Sequence, residues 1–94
     1  MVTREEVVAD WLKELDGVLS EWNKDLENKK KLRASIEERV AILKELDQDK
    51  HKELIKAYGG VIKDLNKEIS YLTEVNIKHG EELKEELTQK FESQ

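Results

Sequence analysis

Ninety-four residues make one domain with room for only a modest core, and 41% charged residues with no proline and four glycines are the mixture of long helices or coiled coils. Recurring Leu, Ile and Val with two tryptophans argue against disorder, while the lack of cysteine excludes a disulfide framework and thiolate chemistry. A formal net charge of -5 disfavours generic binding to nucleic acid or an anionic membrane, and no apolar run approaches the roughly 20 residues of a spanning helix.

Thr3-Arg4-Glu5-Glu6 predicts a helix start. Thr3 is placed to cap free backbone N–H groups, and Glu6, three residues on, to reach back and complete a capping box. From there Val8, Leu12, Leu15, Leu19, Trp22 and Leu26 recur every three or four residues, one face of a helix. Val7, Trp11 and Val18 lie beside that line and widen it, which predicts packing against more than one neighbouring helix. Gly17 interrupts the pattern at a cost of about 1 kcal/mol relative to alanine.

Lys29 and Arg33 then occupy positions where the heptad wants apolar groups, and Ser35-Ile36-Glu37-Glu38 repeats the capping-box signature. The stripe nevertheless resumes as Ile36, Val40, Leu43 and Leu46 in the earlier register, which favours one continuous helix. Asp47 to Glu53 contains no apolar residue and sits at the middle of the chain, so the chain is expected to turn back there. Beyond it Leu54, Ile55, Tyr58, Val61, Ile62, Leu65, Ile69 and Leu72 form a second stripe that keeps phase through Gly59-Gly60, read as a weak or kinked helical turn. The same phase extends it through Val75, Asn76, His79, Leu83, Leu87 and Phe91.

The expected fold is therefore all-α: an elongated antiparallel helical hairpin of coiled-coil type. Its helices run about 4–46 and about 51–91 around a bend at about 47–50, and it is expected to pair into a four-helix assembly. A three-helix bundle with helices near 4–30, 36–57 and 61–91 is the alternative, because its helix lengths are closer to the usual range. The charge divides into -5 over residues 1–28, +4 over 29–67 and -4 over 68–94. In a hairpin both acidic segments meet at the open end while the basic middle surrounds the bend. That polarity predicts an antiparallel dimer, because side-by-side parallel hairpins would group their acidic segments.

Chemistry is poorly represented. There is no His-Glu-x-x-His pattern, no P-loop and no dinucleotide fingerprint, so neither a cofactor nor a metal is expected. His79 shares a helix face with Glu82 and Glu86, a set that Glu/Lys-rich helices produce routinely. Carboxylate pairs are inevitable among 22 acidic residues, whereas a catalytic pair needs a pocket that separates their pKa values. The function expected is a non-catalytic protein-interaction module in the cytoplasm, such as an adaptor, inhibitor or assembly subunit, with Trp11, Trp22 and Tyr71 as contact residues. The alternative is a nucleic-acid-associated accessory protein that sets Lys29, Lys30, Lys31 and Arg33 against phosphate or an acidic partner. Small exported helical hairpins mark their bend with Trp-x-Gly; neither tryptophan here is so followed, and Tyr58-Gly59-Gly60 lies past the polar gap.

Overall fold

The structure, a computed structural model, describes residues 2–92. Helix α1 runs unbroken over Arg4–Asp47, and a second arm returns antiparallel to it as α2 (Lys52–Tyr71), a π-helical turn (Leu72–Ile77), α3 (Lys78–Leu87) and a second π-helical turn (Thr88–Glu92). No strand occurs among the described residues. The hairpin measures 68 × 19 × 16 Å. The long dimension matches α1, whose 44 residues span roughly 66 Å at about 1.5 Å per residue. The radius of gyration is 20.4 Å, against about 12 Å for a compact domain of this length.

The start of α1 is set locally. Thr3 Oγ1 accepts from the Glu6 backbone N–H at 3.2 Å, and Thr3 N–H donates to the Glu6 carboxylate at 3.4 Å, completing the capping box. The second such signature, from Ser35 to Glu38, lies inside α1, where apolar register outweighs a local cap. Asp47 ends the helix. Its Oδ1 accepts from the Lys50 N–H at 3.1 Å and its carbonyl accepts from the His51 N–H at 3.2 Å, closing the turn without any positive φ. The hairpin, and not the three-helix bundle, is the architecture: the lysine run and the double glycine both sit within helices.

Gly59 and Gly60 have helical backbone, and a Cβ added at either meets nothing within 4 Å. Neither glycine is required by space or by φ, so each costs helix stability without return. Gly59→Ala and Gly60→Ala should each raise the unfolding free energy by about 0.5–1 kcal/mol. A higher urea midpoint at unchanged slope is the expected measurement, and a lower midpoint would contradict a continuous helix there.

The seam in α1 follows a strict heptad. Leu12, Leu19, Leu26, Arg33 and Val40 take its a positions, and Val8, Leu15, Trp22, Lys29, Ile36 and Leu43 its d positions. Every one of them is buried or half-buried. In α2 the matching set is Ile55, Ile62 and Ile69 at a with Tyr58, Leu65 and Leu72 at d. Val8, Leu12 and Leu87 form a cluster at the open end with Leu15, Leu83 and Phe91 against it, and Leu19, Leu72 and Ile77 form the next with Trp22 and Leu26.

After Leu72 the expected stripe holds in part. Leu87 is buried and Asn76, Leu83 and Phe91 are half-buried, as expected, whereas Val75 and His79 are exposed and Ile77 and Gly80, outside the expected stripe, are buried. The π-helical turn is the cause. It accommodates one extra residue, so the helix beyond it is rotated by one position and presents Ile77, Gly80, Lys84, Leu87 and Phe91. The rotation brings Ile77 and Gly80 inward and leaves His79 in solvent, which offsets the poorer hydrogen bonding of the π turn.

Candidate functional site

Two sides of the hairpin flank the seam, and they differ in chemistry. On one side Asp16 pairs with Lys84, and the Arg33 guanidinium donates to Asn66 Oδ1 at 2.8 Å. These contacts identify the side on which the e positions of both arms meet. Its α1 residues Ala9, Asp16, Asn23, Lys30, Glu37 and Lys44 include no apolar side chain larger than alanine, and Lys52, Asn66, Thr73, Glu81 and Thr88 continue it on the second arm.

On the other side Lys29 Nζ lies 3.3 Å from Asp25 and 3.7 Å from Glu68, which identifies the g positions of both arms as neighbours. Here the apolar excess collects. Trp11, Val18, Leu32 and Leu46 are g residues of α1 and Val7 and Ile42 its adjoining c residues; Leu54 and Val61 are g residues of the second arm, Tyr71 is a c residue, and Val75 lies one turn on, inside the π-helical turn where the phase changes. All ten are exposed, Trp11 by 42% and Tyr71 by 62%. Only Val2, ahead of α1, is an exposed large hydrophobic residue elsewhere among those described. An apolar band thus runs the length of the molecule on a single face, interrupted at mid-length by Asp25 and Glu68. A shallow groove lined by Asp25, Lys29, Glu68, Tyr71 and Leu72 opens at that point.

The proposed contact residues separate accordingly. Trp11 and Tyr71 stand on the apolar face. Trp22 is half-buried in the seam, packed beside Leu19 and within 3.2 Å of a Cβ built on Gly80. Gly80 is the position that sequence reasoning missed: buried, it lets Leu19 and Trp22 approach the helix backbone, and a Cβ there would lie 2.9 Å from Leu19 Cδ2. The signal available was a glycine eight residues beyond Leu72, readable only once the phase slip is known.

The basic cluster is not one surface. Lys29 and Arg33 turn into the seam and meet Glu68 and Asn66, while Lys30 and Lys31 point to solvent, Lys31 at 3.9 Å from Glu27. A phosphate approaching the outer pair would not reach the inner pair without breaking contacts between the arms. His79, Glu82 and Glu86 do not assemble, and among the described residues no group of three or more His, Cys, Asp or Glu side chains could hold a metal ion. No helix among them is long and apolar enough to cross a membrane. No family model matches the chain, and neither a curated protein nor a solved structure is similar to it.

Proposed function

We propose that the protein is a non-catalytic interaction module that works by laying its apolar g/c face on another helical surface, and that it self-associates through that face into a four-helix assembly. The observation that carries this is the confinement of ten exposed hydrophobic side chains to one of two otherwise equivalent sides. Scattered surface apolar residues are ordinary; a contiguous band opposite a wholly polar side marks a contact surface. Surface area supports it. The chain exposes 7324 Å², whereas a compact monomer of 11.0 kDa exposes about 5,600 Å². The excess is ample for the ~800 Å² per partner of a standard interface.

The test is a pair of triple variants. Trp11→Ser with Leu32→Ser and Val61→Ser alters the apolar face, and Lys13→Ser with Lys30→Ser and Lys63→Ser alters the other side. Sedimentation equilibrium at tens of micromolar should return a mass above 11.0 kDa for the native chain and the polar-side variant, and the monomer mass for the face variant with helicity retained. A monomeric native chain, or a face variant that associates as well as the parent, would overturn the proposal. The polar-side control also removes the outward Lys30, so a phosphate-binding role for the cluster would show as lost retention on a phosphate polymer at unchanged mass.

A further inference from the structure

We infer that the occupant of the apolar face is a second copy of the chain, docked about a two-fold axis that passes beside Asp25, so that α1 lies antiparallel on the partner's α1 and bend meets open end. This rests on the reading of that face as a docking surface and adds its partner, axis and register.

Residue 25 lies at the middle of α1 (Arg4–Asp47), and residue 72 at the middle of the second arm, which begins at Lys52 and ends at Glu92. The two midpoints fall at nearly the same height, because Lys29 touches both Asp25 and Glu68. One axis can therefore serve both arms with full overlap. About that axis each g residue of α1 meets the residue equally far on the other side of 25. Val18 meets Leu32, Trp11 meets Arg39, Arg4 meets Leu46, and at the c positions Val7 meets Ile42. Val18 and Val7 face aliphatic groups, Leu46 meets the stem of Arg4, and the Trp11 indole faces a guanidinium, an attractive pairing.

The second arm obeys the same axis only because of its π-helical turn. The extra residue moves its later g positions to 76, 83 and 90, and the g row 54, 61, 68, 76, 83 and 90 is then symmetric about 72. Val61 meets Leu83, Leu54 meets the stem of Lys90, and Glu68 meets Asn76, with Tyr71 at the centre beside its own copy. Only Asp25 meets its like. Lys29 lies beside each Asp25, at 3.3 Å, and is shared with Glu68 at 3.7 Å, so it offsets part of the like charge within the same layer.

Charge selects this alignment over the parallel one. Residues 1–28 and 68–94 carry -5 and -4, and those of them that the structure describes occupy the open half, while 29–67 carry +4 around the bend. Aligning bends side by side would gather four acidic segments at one end and set Leu32 at the height of the partner's Glu68. The antiparallel alignment opposes acidic and basic halves and discriminates against the other by repulsion.

The chain has no cysteine, which makes the test direct. Asp25→Cys should form a covalent dimer as the dominant product on oxidation or with a short thiol–thiol crosslinker, under conditions where the native chain is dimeric. Val18→Cys and Leu32→Cys should each crosslink weakly alone and several-fold better when mixed. If the native chain is dimeric and the face variant monomeric, yet Asp25→Cys stays uncrosslinked or Val18→Cys couples to itself as well as to Leu32→Cys, the axis is wrong while the docking face stands. A native chain that remains monomeric removes both.

Discussion

Leu19→Ala should lower the unfolding free energy by about 2–4 kcal/mol. Leu19 is buried at the centre of the cluster with Leu72 and Ile77, with Trp22 and Leu26 alongside, and it also lies on Gly80. The core has little to spare: among the described residues nine hydrophobic side chains are buried, and none is fully so. A loss of this size is a large share of the few kcal/mol a small domain holds. The contact with Gly80 makes a sharper test than the single variant. Gly80→Ala gains about 1 kcal/mol of helix propensity, but its Cβ would lie 2.9 Å from Leu19 Cδ2, tight enough that something must move. In the parent these effects oppose each other, so the variant should be near neutral or destabilised by about 1 kcal/mol. With Leu19→Ala in place the closest contact is gone and only Trp22, at 3.2 Å, remains tight, so the same change should be more favourable than in the parent and stabilise by up to about 1 kcal/mol. Urea unfolding of the four chains gives the coupling; strict additivity would mean that Leu19 and Gly80 are not in contact.

Deleting Glu74 should leave the hairpin folded with stability equal to or above the parent, whereas deleting Lys63 should cost several kcal/mol or abolish folding. Glu74 is exposed inside the π-helical turn. Removing one residue there converts five steps from Leu72 to Ile77 into the four of an ordinary helix, and Gly80, Leu87 and Phe91 keep their places on the seam. Lys63 lies in regular α-helix. Its loss would rotate one side of the arm by about 100° against the other, forcing either Ile55, Tyr58 and Ile62 or Leu65, Ile69 and everything beyond out of register. Circular dichroism and urea midpoints of the two deletions would settle the matter. A collapse on losing Glu74 would mean that the π turn carries a contact of its own and is more than a phase adjustment.

Much of the hairpin was legible because its causes are local or periodic. The cap at Thr3 needs only four residues, and the seam from Val8 to Leu43 keeps strict register across the polar stretch at Lys29–Arg33. The bend followed from a gap in apolar residues, and Asp47 closes it with its own side chain. Past Leu72 the sequence offers two overlapping apolar series. Val75 and His79 continue one series and Ile77 and Gly80 begin another, both leading on to Leu87 and Phe91, and only the facing helix, with Leu19 and Trp22 seeking a glycine, decides between them. The inward turn of Lys29 and Arg33 depends on Glu68 and Asn66, more than thirty positions away, so inspection of the cluster itself shows nothing of it. Trp11 and Trp22 look alike in the sequence; eleven residues of a heptad carry one onto the seam and leave the other beside it.

In the proposed assembly the polar e side would limit the valence of the molecule. A hairpin apolar on both flanks could recruit a copy on each and grow without end, as open heterologous contacts do. Here Asp16, Asn23, Lys30, Glu37 and Lys44, with Lys52, Asn66, Glu81 and Thr88 across from them, make the outward side polar. In the proposed dimer, pairing through the opposite face would consume the adhesive surface of both copies at once, so the assembly would terminate at two chains where a two-sided hairpin would form filaments.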